Sequence, residues 1–591
     1  MRKQTKLVAV LSTAALLAIG ASMTSFAAQG WAEEDGTWVY YDKSGERVTD
    51  KWAKSGNNWY YLDSDGEMAI DTLIEDGDNY YYVDINGVMA SNQWVAIENE
   101  DAGEDNEPEH YWYYFQANGK ALKNGDNAKV ALKTVNGKKY AFDDEGRMLY
   151  GWVSADNAER VDDTDGDGFL EGDYYFGGQD DGAMTVGWLQ LDITYEDATS
   201  DYEFAPVFNE DEDQTRWFYF QSNGKKVKAD SSDKVKEKTI NGKKYAFDHN
   251  GAMTAEWSLD KEDVAKLATP DQAHSDNSGT GSNAVSAKYA QQWRYFNSVE
   301  DGSRVSKGWF KVVAAEWLNN DKFDDDDSAW YYADGSGNLY AGEFKTIKGK
   351  KYAFRDDGRM VDGLKFIRPS DNDGLDIVAD DDGTYNFDNE DDFNEHALDL
   401  EALGYRCYYF GGGDDGAMKT NKTSVEIDGD KYNFYFEKSG SLKGAGVTGK
   451  KDDKYYQSGK LMRAGADEKY QVVIGLETTV TENGKEKTGH GYYKLSDALE
   501  FLGVLDSRDA VSAGVNDTNI AALKKLGVNK DAKDLSELYI MEYNDKAPAD
   551  AFFLVNTSGK VIDSKSKNKD GNDYYYVVNK GGKIAAVYVE D

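Results

Sequence analysis

Aromatic residues recur along this chain in a fixed register, and they are the side chains whose type and spacing suggest a binding chemistry. Trp31, Trp52, Leu73 and Trp94 stand 21 residues apart, as do Trp38, Trp59 and Tyr80, and Tyr40, Tyr61 and Tyr82. Asp42, Asp63 and Asp84 keep the same interval, and so do Gly45, Gly66 and Gly87. Five columns in one register mark an internal repeat. Rings repeated in this way either fill a core or are left partly open to a ligand. A second constellation is acidic. Asp163, Asp165 and Asp167 alternate with Thr164 and Gly166, which resembles the opening of a calcium loop. Tyr174 stands where that loop would place its bidentate Glu, so the run reads either as a solvated acidic loop or as a calcium site. Calcium is the one cofactor the residues suggest.

Residues suited to catalysis are sparse. No two of the five histidines, His110, His249, His274, His396 and His490, stand at metal-ligand spacing. His110 and His396 fall in acidic insertions and read as exposed, as does His274. Cys407 precedes Tyr408 in a strand pattern and reads as a buried thiol. The chain has no nucleophile elbow, His-Glu-x-x-His or phosphate loop, and no repeat-free segment of catalytic-domain size. It is expected not to be an enzyme.

The repeat itself gives the positioning elements. Each unit reads as strand, Gly-containing turn, aromatic strand, then Asp-x-x-Gly turn, and alternation puts Trp59 and Tyr61 on one face with Tyr60 on the other. A lone hairpin cannot bury such rings, so neighbours must stack. The expected fold is all-β: an elongated solenoid of stacked β-hairpin repeats. After about residue 92 the units lengthen. Asn-Gly-Lys-Lys-Tyr-Ala-Phe stands at 136–142 and 241–247, with Lys-Gly-Lys-Lys-Tyr-Ala-Phe at 348–354. Acidic insertions separate Trp94 from Trp112, Trp152 from Tyr174, Trp188 from Trp217 and Trp309 from Trp330. The reading is regular repeats over 28–94, longer degenerate repeats over 95–465, and a repeat-like β region over 466–591. That last region is interrupted by a small helical insertion at about 497–543, clearest at Asn519–Leu526 before Gly527. Residues 275–286 read as a Ser/Gly/Asn-rich loop.

Composition bounds the partners. The net charge of −42 repels phosphate backbones and argues against nucleic acid. Arg2, Lys3 and Lys6, an apolar run from Leu7 to Ile19, and Ser25-Phe26-Ala27 form a secretory signal over residues 1–27, too short to span a bilayer. Removing it, with its three positive charges, takes −42 to −45. No later segment is long and apolar enough to cross a membrane, so the expected location is secreted, at the cell surface or wall. With Cys407 alone, no intramolecular disulfide can form.

The pattern of Trp52, Trp59-Tyr60-Tyr61, Asp63, Gly66 and Met68 resembles the cell-wall-binding repeat family of the choline-binding type. The match is specific over 30–94, looser to about 465 and only suggestive beyond. The resemblance implies clefts between successive hairpins that act as aromatic cages, and a wall polymer as partner: teichoic acid, choline or polysaccharide. Carried over by column, the cages would be Trp31, Trp38 and Tyr40 with Trp52, then Trp52, Trp59 and Tyr61 with Met68 and Met89. Tyr82 and Trp94 continue the columns. A quaternary ammonium offers no hydrogen bonds, so electron-rich ring faces are its natural partners. Several weak cages on one chain gain through effective concentration on a repeating ligand. Arg47 stands in the methionine column and Leu73 in the tryptophan column, which should weaken those cages. The Tyr-Ala-Phe units should serve as scaffold. Both choline and a glycan, the latter as in glucan-binding and toxin branches of the family, remain as ligands.

Overall fold

The computed structural model describes residues 29–103, 107–125, 128–193, 214–231, 235–259, 286–316, 318–370, 374–378, 387, 389–495, 500–501, 503–504, 511–542, 551–563 and 565–591. The expected signal segment and almost all of the 275–286 loop lie outside them. Among the described residues no helix is long and apolar enough to cross a membrane. The chain is mostly β, and its contacts divide it into two compact units, one reaching to residue 193 with 214–227 and the other from residue 228 onward.

The 21-residue units fold as separate antiparallel hairpins: Gly30–Glu34 with Thr37–Tyr41, Lys51–Ser55 with Asn58–Leu62, and Thr72–Asp76 with Asn79–Val83. Their register is common. Trp31 faces Tyr40, Trp52 faces Tyr61 and Leu73 faces Tyr82. The longer units keep it, with Trp94 opposite Tyr114, Trp188 opposite Tyr219, Trp257 opposite Tyr295 and Trp309 opposite Tyr332. Tight turns fix this register. At Asn241-Gly242 both residues have positive φ, 49° and 82°, the two-residue hairpin turn whose twist matches the strands.

The Asp-x-x-Gly segment folds back after each aromatic strand. Asp63 Oδ1 accepts the N–H groups of Asp65 and Glu67, and its carbonyl accepts that of Gly66. The residue after this turn then bonds to the preceding hairpin. Met68 N–H donates to the Trp38 carbonyl at 2.7 Å, Met89 to Trp59 at 2.9 Å, Met148 to Trp112 at 2.7 Å and Met360 to Trp330 at 2.7 Å. The methionine side chain lies over the glycine of the following turn. A Cβ on Gly87 would come within 2.9 Å of the Met68 thioether and 3.1 Å of the Ala69 carbonyl, and its φ of 75° is one that side-chain-bearing residues avoid.

The core runs through the last residue of each aromatic strand. Leu62, Val83, Phe115, Phe220, Phe247 and Phe354 are all fully buried. The insertions bring helix as well. Glu390–Ala402, within an acidic stretch, is capped by Asn389, whose side chain accepts the N–H groups of Asp391 and Asp392. Three acids in its first turn suit the helix dipole, and Phe393, Ala397, Leu398 and Leu400 are buried.

The C-terminal region departs from the expected hairpin repeat. Tyr470–Glu482 pairs with Lys485–Lys494 on one side and with Phe552–Asn556 on the other. A five-stranded sheet runs in the order Val511–Ala513, Leu535–Met541, Ile584–Glu590, Tyr574–Val578, Lys565–Lys569. Within the stretch read as a helical insertion, Asp517–Lys525 is helical as expected, but Leu535–Met541 is a strand. Leu538 and Ile540 alternate into the core, and pairing with a distant strand overrides the local reading.

Two substitutions test this packing. Gly87→Ala forces a left-handed alanine against Met68 and is expected to cost about 1–2 kcal/mol, read as a lower urea midpoint. At Asp143, burial raises the carboxyl pKa to about 6. The folded state therefore carries a charge penalty that is fully present above about pH 6 and is relieved as pH falls towards the unfolded value near 4. Asn556 and Asn579 close the equivalent turns elsewhere with the same N–H contacts. Asp143→Asn should thus raise the thermal midpoint at pH 8, with the gain fading between pH 6 and pH 4.

Candidate ligand-binding clefts

Cross-strand register brings a tryptophan and a tyrosine of one hairpin edge to face, and the next hairpin adds a third ring. Trp31 meets Tyr40 at 5.2 Å and Tyr60 at 5.2 Å, both at 70°. Trp52 meets Tyr61 at 5.1 Å and Tyr81 at 5.0 Å. Trp52, expected in both cages, makes its ring contacts in the second cluster, and the third ring of each cluster comes from the column of Tyr60 and Tyr81. Alternation does separate Tyr60 from Trp59 and Tyr61, but successive hairpins meet front to back, so the face carrying Tyr60 packs on Trp31.

The same geometry recurs in the longer units. Trp94 packs on Tyr114 at 5.2 Å and Tyr140 at 4.9 Å. Trp309 packs on Tyr332 at 5.1 Å and Tyr352 at 4.8 Å, with Trp330 perpendicular to it at 6.4 Å. Tyr140 and Tyr352 come from the Tyr-Ala-Phe strands. Those strands are more than scaffold: their tyrosine is the third residue of its strand, as Tyr60 is in Asn58–Leu62. Counting from the hairpin turn, and not from the first aromatic, would have found this column in the sequence.

The other predicted residues are distributed around these clusters. Trp38 and Trp59 carry the carbonyls that Met68 and Met89 bond, and both methionines are half-buried. Trp59 is 40% exposed, and the Lys54 ammonium lies 5.7 Å from its ring centre. Leu73, Tyr80 and Tyr82 pack with Tyr113 and Phe115, so the third hairpin has a closed apolar cluster where its neighbours have an indole.

Carboxylates surround the rings. The Trp52 indole N–H donates to Asp76 at 3.1 Å, Trp112 to Asp180 at 3.1 Å and Trp330 to Asp414 at 2.8 Å. The Trp31 indole N–H is buried with no hydrogen-bond partner among the described residues. Tyr82 donates to Asp71. Burial, then the charges of Asp50, Asp76 and Asp63, push the Tyr61 hydroxyl above its ordinary value, and burial with Asp76 does so at Tyr81. Ring faces ringed by carboxylates attract cations and repel anions.

The acidic loop looks different. Asp163 Oδ1 accepts the Gly168 N–H, and burial raises its pKa. Among the described residues no three His, Cys, Asp or Glu side chains, those of Asp163, Asp165 and Asp167 included, converge as a metal-binding group. His110, expected to be exposed, is half-buried in a strand, with its ring against Trp112 and its Nε2 3.1 Å from Asp180. Cys407 is buried, and burial holds its thiol protonated. Tyr352→Ala should remove the ring packed on Trp309, costing about 3 kcal/mol or more and red-shifting tryptophan emission, whereas Tyr352→Phe should leave both nearly unchanged.

Residues 48–94 match the family model described as the choline-binding repeat. Glucosyltransferase-S of Streptococcus mutans is 26% identical over 274 residues, which span 43% of this chain but 16% of that protein. Among solved structures, the modular autolysin LytC of Streptococcus pneumoniae, in complex with a synthetic peptidoglycan ligand, aligns at 17% identity over 57% of this chain and 54% of that one, with a TM-score of 0.28. Choline-binding protein F of the same organism aligns at 17% identity over 74% of this chain and 100% of that one, with a TM-score of 0.21. The choline-binding domain of Spr1274 from that organism is 27% identical, over 16% of this chain and 96% of its own, with a TM-score of 0.13. Residues 48–94 of this chain therefore carry repeats of the choline-binding type.

Proposed function

We propose that this chain is a non-catalytic, exported surface protein that binds the bacterial cell wall through its aromatic clefts, with a choline-type ammonium as the ligand. The observation that carries this reading is the repeated cluster of one tryptophan and two tyrosines with carboxylates around it, seen most fully at Trp52, Tyr61, Tyr81 and Asp76. Rings converging from two hairpins suit a compact cation, and the acidic rim adds long-range attraction. The reading also takes the hairpins of each unit to stack as a solenoid, supported by the methionine-to-carbonyl bonds from one hairpin to the next. Tandem clefts raise avidity on a polymer that repeats its ligand. The signal segment expected over residues 1–27 supports export.

A glycan reading has one observation in its favour. The ring of Trp59 is 40% exposed, and a flat open ring suits a sugar face better than an ammonium. The two readings separate on a choline-substituted resin. The full chain is expected to be retained and to elute with free choline, and Trp52→Ala should weaken choline at its cleft about 30-fold, or about 2 kcal/mol. Passage through the resin without retention, together with sugar-specific signals on a glycan array, would exchange the first reading for the second.

A further inference from the structure

Charge is unevenly spread over this acidic protein. The sequence holds 67 basic and 109 acidic residues, yet one cavity of about 440 Å³ is lined by Lys422, Lys454 and Arg463 and by no carboxylate. Its walls come from strands Asn421–Ile427, Asp430–Phe436 and Lys454–Gln457, and the turn after Phe552–Asn556 closes one side. That turn is fixed in place. The Lys454 ammonium donates to the Ser558 carbonyl at 2.6 Å, a backbone bridge joins Lys454 to Lys560, and Leu461 lies where a Cβ on Gly559 would come within 2.8 Å. The other two cations are available. Lys422 pairs with Asp452 only loosely, at 3.6 Å with both side chains more than half exposed, a contact that water largely screens. Arg463 is exposed at the rim.

The remaining lining is neutral. Asn433 and Ser558 bring hydrogen-bonding groups, while Tyr456 is almost wholly buried. A guanidinium offers two parallel N–H donors that match the oxygens of a phosphate, and lysines add point charges to it. A lone phosphate would leave most of this cavity empty, whereas amide and hydroxyl groups suit the hydroxyls of a polyol or sugar.

We propose that this cavity binds a phosphate ester of a sugar or polyol, with the phosphate held by Arg463 and Lys422 and the polyol by Asn433 and Ser558. Its lining shares no residue with the aromatic clefts, and the proposal does not depend on their ligand. Because those clefts are rimmed by carboxylates and this cavity by cations, the two select ligands of opposite charge.

Calorimetric titration of the full chain tests the site, with glycerol phosphate, poly(glycerol phosphate) and inorganic phosphate as probes. The glycerol esters are expected to bind more tightly than inorganic phosphate, and to weaken as salt rises from about 0.05 to 0.3 M. The double variant Lys422→Gln, Arg463→Gln should lose at least about tenfold in affinity while its melting temperature stays unchanged. Tighter binding per phosphate of the polymer assigns the site to a chain-borne ester, and equal binding to a free one. Trp52→Ala should leave these titrations as they are. No heat with either ester, inorganic phosphate binding as well as they do, or undiminished affinity in the double variant would overturn the proposal.

Discussion

The regular hairpins, and several of the longer ones, are each held by the one that follows, through a backbone hydrogen bond from the residue after its closing turn to a carbonyl in the second strand of the preceding hairpin. Two-stranded hairpins are marginal by themselves in water, so contacts of this kind between neighbours are what stabilise them. The bond also explains why side-chain identity in the column can drift. Lys139 and Lys351 stand where Trp38 and Trp59 stand, yet their carbonyls accept Met184 and Met418 at 2.8 Å in the same way. The bond needs only a carbonyl. The methionine and glycine columns complete it, because the thioether of one turn fills the space that a missing Cβ leaves in the next.

Aromatic clefts are a consequence of that stacking. Cross-strand pairing supplies a tryptophan and a tyrosine, and the stacking offset supplies a third ring from the neighbour. Whether a cleft stays open then depends on what surrounds it. In the regular units the rings are half-buried with acids at the rim, while Trp293 and Tyr331, in the contact set of Trp257, are sealed in the core. The same triad of columns therefore serves as cleft in one place and as core in another.

Electrostatics separates the surfaces more sharply than composition suggests. An overall charge of −42 describes the carboxylate-rimmed clefts well, but not the cavity around Arg463, where the acids are absent from the lining. Several of the chain's other lysines and arginines lie in ion pairs. Lys460, almost fully buried, is paired with Glu390 at 2.5 Å, and Arg304 with Glu237 at 2.6 Å. Such pairs position the long helix and the hairpins and leave little cationic surface elsewhere in those contacts.

The five columns, the hairpin register and the identity of most ring residues were legible from the sequence, because strand alternation and turn chemistry act over a few residues and leave a periodic trace. Trp52 opposite Tyr61 follows from that period alone. Which faces of neighbouring hairpins meet is set by a contact between units, and no period within one unit carries it. Tyr60, Tyr81, Tyr140 and Tyr352 hold a fixed place in their strands, but that they meet Trp31, Trp52, Trp94 and Trp309 is decided by the contact between hairpins. The helix Glu390–Ala402 and the strand Leu535–Met541 belong to the same class. Their local sequences are ambiguous, and it is burial against distant partners, Phe366 and Phe434 for the helix and Ile584–Glu590 for the strand, that decides them.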